Sequence, residues 1–527
     1  MMFKTKIVDL LKKAVKENID FDILIPDSDN FGHYSTNIAL KLVKIRKNNP
    51  LAIAQEIVSF LEKSVQANFF EKIEIAGPGF INFWISKKAL QSELKEILKK
   101  KEKYGDLKIG QNKKIQVEFI SANPTGPLTI GNGRGGPFGD TLANVLKKAG
   151  YKTTKEYYVN DAGGQIKSLG RSVLGEKGAE YSGDYIDKLK KKIKNKNVES
   201  VGQKAAREIL KQIKKTVENG MRIKMDSWFL EKKELLDSNE IAKTIDWLKK
   251  KNLTYEKEDA LWFKSSQFGD EKDRVLVKSN GETTYLASDI AYHKNKFVKR
   301  KFNQVINVWG ADHHGDVGRV KAAVEVLGFK NKLEIILMQF VRLVKDGKEV
   351  RMSKRKGVYV TVDDLLKEVG RDAFRFFFLM YSPDSHINFD LKLAKEHSLK
   401  NPVYYVQYAA VRAKGILKKY QALSIKYQKT NKKIDFNLLD TNEDIKLMLA
   451  LSRFPEKIEK SANKYSPQVL VRYALDLARE FHNFYEKERI GGENEKLMLA
   501  RLELIKAISI VFGILFDILG ITYPEKM

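Results

Sequence analysis

Between Val117 and Gly150 the chain reads VEFISANPTGPLTIGNGRGGPFGDTLANVLKKAG, and here residue types and spacing first imply chemistry. A β-type run ends near Ile120 and a Pro/Gly turn follows. Gly131, Gly133, Gly135 and Gly136 then lead into a helical pattern carrying Leu142, Val145 and Leu146, closed by Gly150. Such a junction turns unsatisfied backbone N–H groups and the positive end of a helix towards whatever binds there, and an anion such as phosphate is the natural ligand. Pro137 is harmless only in a first helical turn, which predicts a helix start near Arg134. On spacing alone the run also fits a purely structural turn. A second stretch, VRLVKDGKEVRMSKRKGVYVTVDDLL, sets five basic residues in the nine positions from Lys348 to Lys356, and by charge alone it reads as a solvated loop.

The elements that must position these groups follow from periodicity. KIQVEFI, a helix ending near Gly150, a strand around Thr153 to Val159 and, later, NQVINVWGADHHG alternate strand and helix, which predicts a parallel sheet with helices on both faces. Residues from about 166 to 250 are helix-rich and charge-dense and read as an insertion into that domain, with a solvated surface. Residues 1–95 mix helical patterns with short strand-like runs, as in EKIEIAGPGFINFWIS, and predict a small α+β domain. Lys-rich text, KEILKKKEKYGDLKIGQNKK, reads as a linker before the run from Lys114 to Ile120. From 396 to 527 the apolar positions recur with helical spacing, so an all-α bundle is expected.

The run S-A-N-P-T-G-P-L-T-I-G-N-G-R-G-G resembles the signature of class I aminoacyl-tRNA synthetases in the version used by the arginyl family. Arg351-Met352-Ser353-Lys354-Arg355 resembles the second signature of that class, followed by V-T-V-D-D-L-L as in the arginyl family. The resemblance implies a Rossmann-like catalytic domain over 110–395 with the 166–250 insertion, a tRNA-contacting N-terminal domain and a helical anticodon-binding domain. It implies an arginine–tRNA ligase that forms arginyl-adenylate from ATP and passes arginine to tRNA. Lys354, Thr129 and Asn132 would be catalytic; Gly131, Gly133, Gly310, Asp312, Ser353 and Lys354 would bind ATP. Glu118, Ser121, Asn123, Tyr285, Asp289 and His313 would line the arginine site, because a guanidinium demands carboxylates in planar, bidentate geometry. Thr129 and Asn132 stand where the family has two histidines. They donate hydrogen bonds but carry no positive charge, so a catalytically weakened, synthetase-like RNA-binding protein is the alternative, and a class I synthetase for another amino acid a further one.

Composition fits this picture. Lys+Arg number 96 against 67 Asp+Glu, a formal charge of +29, which favours a polyanionic partner such as tRNA but also fits a lysine-rich solvated surface. With 43% hydrophobic residues in 527 the chain can form several cores. There is no cysteine, hence no disulfide and no thiolate-bound zinc, in keeping with a reducing compartment. Adjacent His313 and His314 lack further ligands, so no protein-bound metal is expected; Mg2+ would arrive with ATP, held mostly by its phosphates. The start, with Asp9 and Glu17 in a helical pattern, is unlike a secretory signal. A cytoplasmic monomer that binds neither membrane nor DNA is expected.

Overall fold

The computed structural model describes residues 2–64, 69–349, 360–422, 425, 434–492 and 494–527. Near the N-terminus the helix Phe3–Ala14 buries Phe3, Ile7 and Leu11, one per turn, against the helix Pro50–Ser64, in a core shared with an antiparallel sheet. That sheet runs in the spatial order Ile23–Leu24, Tyr34–Thr36, Phe80–Ile85, Phe70–Ala76. Gly77 and Gly79, at φ 54° and 125°, make the tight return between its last two strands. The lysine-rich text read as a linker, residues 95–114, opens on the end of the helix Lys87–Lys100, which buries Leu90, Leu94 and Ile97 against the C-terminal helices Asn442–Ser452 and Glu495–Leu519, and then runs on through turns to the strand Lys114–Glu118. Lysines on the helix's outer face conceal in composition what the apolar spacing records.

The central sheet has five parallel strands in the spatial order Leu333–Met338, Gln304–Gly310, Lys114–Glu118, Lys152–Val159, Ser227–Leu230. Chain order reverses between Lys114–Glu118 and Gln304–Gly310, so these strands diverge from a switch point whose crevice lies beyond their carboxyl ends. The segment 166–250 is tied to this sheet more closely than an insertion would be. Helices Gly164–Leu174, Asp184–Lys192 and Val198–Lys215 form the crossover to the edge strand Ser227–Leu230, which itself falls inside the segment. Gly170 and Gly202 let two of these helices touch, since a Cβ on Gly202 would meet the Ile166 carbonyl at 2.2 Å and one on Gly170 the Val198 carbonyl at 2.1 Å. Gly202→Ala is therefore expected to cost about 1–3 kcal/mol by overpacking, read as a lowered midpoint of thermal unfolding. Between Leu230 and Gln304 lie the helix Glu240–Lys250, a three-stranded antiparallel sheet and the helix Tyr285–Lys294, around a second apolar core that also takes in Phe229 of the edge strand and Ala323.

The C-terminal part is helical: Pro402–Lys419, Asn442–Ser452, Phe454–Asn463, Gln468–Lys487 and Glu495–Leu519. Arg375 joins it to the part built on the parallel sheet. Its fully buried guanidinium donates to the carbonyls of Leu519 at 2.8 Å and Met221 at 2.9 Å and to Asp140 Oδ2 at 2.5 Å. Lys155 Nζ takes the other Asp140 oxygen at 2.5 Å, so the buried carboxylate is paired on both sides. Among the described residues no helix is long and apolar enough to cross a membrane.

Candidate active site

The strand Lys114–Glu118 runs straight into a strained turn. Ile120 and Ser121 adopt φ of 70° and 38°, and a β-branched residue there is costly enough to persist only where the surroundings impose it. This turn carries Ser121 and Asn123 past the carboxyl end of the strand. Ser121 Oγ donates to Glu118 Oε1 at 3.1 Å, and Asn123 Nδ2 donates to Gln165 Oε1 at 2.6 Å. Gln165, on the crossover helix, is a neighbour the sequence does not advertise.

The helix beside it is Ile130–Lys148, starting one turn earlier than Pro137 suggests and holding that proline in its interior. The reason lies at both ends of the first turns. The Thr129 hydroxyl donates to Asn132 Oδ1 at 2.8 Å, and the Thr129 backbone N–H reaches the same oxygen at 3.3 Å, so the start is capped from within. Glycines then let the helix press on its neighbours. A Cβ on Gly139 would come within 2.2 Å of the Phe119 ring, and one on Gly136 within 2.9 Å of Met221 Sδ. This packing compensates for the hydrogen bond that Pro137 cannot give. Gly133 is buried, its N–H bonds to the Thr129 carbonyl at 2.9 Å, and a Cβ there would meet Val362 Cγ2 at 2.5 Å. Gly131 is exposed and open. Capping occupies the Asn132 carbonyl oxygen, and among the described residues its amide N–H2 has no hydrogen-bond partner at the helix's positive end.

Ser353 and Lys354 lie outside the described residues, but the segment that follows them is fixed to this turn. Thr361 forms a β-bridge with Thr129, and the Val362 N–H donates to the Leu128 carbonyl at 2.9 Å. Thr361 also caps the helix Val362–Val369, with Asp364 answering it, so two helix starts sit side by side. On the approach side, the buried Arg134 donates to the carbonyls of Gln339 and, at 2.8 Å, Ser382, holding the strand Val341–Lys345 against the same helix. Burial pushes that guanidinium down to about 10.

Across the switch point, Gly310 ends its strand and the Asp312 carboxylate folds back over it; a Cβ at 310 would meet Asp312 Oδ1 at 2.3 Å. Asp312 and His313 are exposed on the turn Ala311–Asp316, and His313 Nδ1 lies 3.2 Å from Asp316 Oδ2. His313 is thus at the rim and not among the buried groups around Glu118. Among the described residues no group of three or more His, Asp or Glu is arranged to hold a metal.

Tyr285 and Asp289 are one turn apart on the helix Tyr285–Lys294, which aligns their side chains. Tyr285 is 60% exposed and Asp289 half-buried. Burial pushes the Asp289 carboxyl up to about 7; Arg319 opposes the rise, while Glu231, Glu118 and Asp316 reinforce it. Glu231 and Arg319 are participants that sequence reading missed. Glu118 is buried, with Lys296 Nζ 2.6 Å from its Oε2, a partner hidden in the lysine-rich text KNKFVKRK.

Comparison with known proteins covers nearly all of the chain. The family model described as Arginyl tRNA synthetase N terminal domain matches residues 1–85, tRNA synthetases class I (R), catalytic domain matches 93–184 and 175–377, and DALR anticodon binding domain matches 406–527. The chain is 44% identical to the arginine–tRNA ligase of Caldanaerobacter subterraneus subsp. tengcongensis, covering 99% of this chain and 98% of that one. It is 41% identical to the corresponding ligase of Bacillus subtilis, covering 95% and 93%. The solved Thermus thermophilus arginyl-tRNA synthetase superposes with a TM-score of 0.78 over the full length of both chains, and at 22% identity that likeness bears on the fold alone. With this geometry and these relatives, the chain belongs to the class I arginyl-tRNA synthetase family.

Proposed function

We propose that the crevice at the switch point binds arginine and ATP side by side, within an enzyme that joins arginine to tRNA at the expense of ATP. The guanidinium lies between Glu118 and Asp289 with Tyr285 over it, and the α-amino and carboxylate end meets Ser121 and Asn123. Adenosine rests on Gly310 with its ribose at Asp312, and the phosphates run past Gly131 to Thr129 and Asn132. The arginine carboxylate attacks the α-phosphorus in line, forming arginyl-adenylate, and negative charge grows on the departing pyrophosphate. Asn132 Nδ2, the helix start and Lys354 with Ser353 stabilise that charge. The terminal adenosine of tRNA then takes the arginyl group.

The observation that supports this reading best is the Thr129–Thr361 bridge, which ties the exit of the cationic loop to the helix start beside Glu118 and Ser121. Mg2+ would arrive with ATP, carried mostly by the nucleotide's phosphates. The N-terminal sheet domain and the C-terminal helices contact the tRNA, and the enzyme works as a cytoplasmic monomer. A crystal structure with a sulfamoyl analogue of arginyl-adenylate tests the assignment. The guanidinium is expected within hydrogen-bonding distance of Glu118 and Asp289; a guanidinium directed to other acids overturns it.

A further inference from the structure

Glu118 already has a cation within the fold. Lys296 Nζ contacts its Oε2 and, at 3.0 Å, Asn307 Oδ1, and all three residues are buried. The Tyr292 hydroxyl lies 3.0 Å from the same Oε2 and 2.6 Å from Glu156 Oε1. Arg300 closes the far side on Glu156 with bonds to both carboxylate oxygens. Burial works against the charged form of Glu156, yet the Arg300 guanidinium holds its carboxyl below the usual range. Two carboxylates and two cations therefore balance, and the network adds no net charge to the crevice. From Lys296 the chain of contacts continues through Asn307 to His293 Nε2 at 3.2 Å, and His293 Nδ1 is 2.8 Å from the Asp289 carbonyl. Burial pushes that imidazole down to about 3, so it is neutral.

The consequence falls on the two oxygens of Glu118. Oε2 is occupied by an ammonium and a phenol; Oε1, met by Ser121 Oγ, is the oxygen on the side of the candidate arginine contacts. A buried carboxylate without its counter-charge is held in the neutral form, in which one oxygen becomes a donor and the other accepts without the negative charge that a guanidinium seeks. The compact ammonium is fully inside the fold, where it does not compete with arginine for Oε1.

We propose that Lys296 is a positioning residue for arginine selection: its buried ion pair fixes Glu118 Oε2, presents Oε1 as the guanidinium acceptor, and leaves the attraction for a cation to Asp289. This rests on the reading above that Glu118 meets the guanidinium. Lysine at 296 thus acts on substrate only through Glu118.

Aminoacylation kinetics of the full chain with Lys296→Met, Lys296→Arg, Glu118→Gln and the double variant Lys296→Met/Glu118→Gln test it. Lys296→Met is expected to raise the arginine KM about tenfold or more, with kcat and the KM for ATP within about threefold, and Lys296→Arg to recover most of the loss. In the Glu118→Gln background, adding Lys296→Met is expected to change the arginine KM less than about twofold, because the effect passes through the carboxylate. The double variant removes the charges as a pair, so it remains informative if Lys296→Met alone does not fold. Losses that multiply in the double variant, or a joint fall in kcat and rise in both KM values, overturn the positioning role. A Glu118→Gln enzyme with the wild-type arginine KM overturns the underlying Glu118 contact instead.

Discussion

Asp289→Asn is expected to raise the KM for arginine by about two orders of magnitude while the KM for ATP stays within about twofold. Removing one partner of a desolvated, hydrogen-bonded charge pair costs about 2–5 kcal/mol, and each ~1.4 kcal/mol is tenfold. The pH dependence gives the same substitution a second signature. The Asp289 carboxyl is held up at about 7 by burial. Below that pH it is protonated and neutral, and arginine binding must first expel the proton; above it the carboxylate is ready. The arginine KM should therefore rise by about tenfold per unit as pH falls from 7 towards 5, and stay level above about 8. In Asp289→Asn this slope disappears. Thermal stability separates the effect from misfolding: an acid with a raised pKa in the fold opposes folding once pH exceeds its ordinary value, so the neutral amide should leave the melting midpoint at pH 8 unchanged or higher. An Asn variant with an unaltered arginine KM would remove Asp289 from the pocket.

Lys354→Ala is expected to lower kcat by about 10²–10³-fold, the usual loss for one donor aimed at transition-state charge, with tRNA affinity and the arginine KM within about threefold. The lysine has its value only while pyrophosphate is leaving, so ground-state binding should barely register it. Its loop rejoins the described fold at Thr361, bridged to Thr129. Rapid-quench measurement of arginyl-adenylate formation with tRNA present reads the step directly. A kcat loss matched by an equal loss in tRNA affinity would make Lys354 an RNA contact rather than a catalytic group.

How much of this was legible depends on whether a feature is local. The glycine run after Glu118 announced a strand, a turn and a helix because each step has its own residue chemistry, and the helix is there. Its start was misread because Pro137 was weighed as an isolated residue, while the bonds that fix the first turn come from Thr129 and Asn132 and its packing from Phe119 and Val362. The strand Ser227–Leu230 was lost in a charge-dense stretch because four residues cannot show periodicity against helices on both sides. Lys296 is the sharpest case. In KNKFVKRK nothing distinguishes a fully buried lysine from its solvated neighbours, and only the sheet brings it to Glu118, far earlier in the chain.

The Arg375 guanidinium has a mechanical consequence. Because it grips Leu519 at the end of the last long helix and Asp140 on the helix Ile130–Lys148, the anticodon-domain end of the molecule and the parallel-sheet end share one rivet. Prising them apart would strand a charge in a dry interior, at a cost of about 3–5 kcal/mol. Leverage applied to the C-terminal helix is therefore delivered to the helix that begins at Thr129, instead of being absorbed in a slack joint.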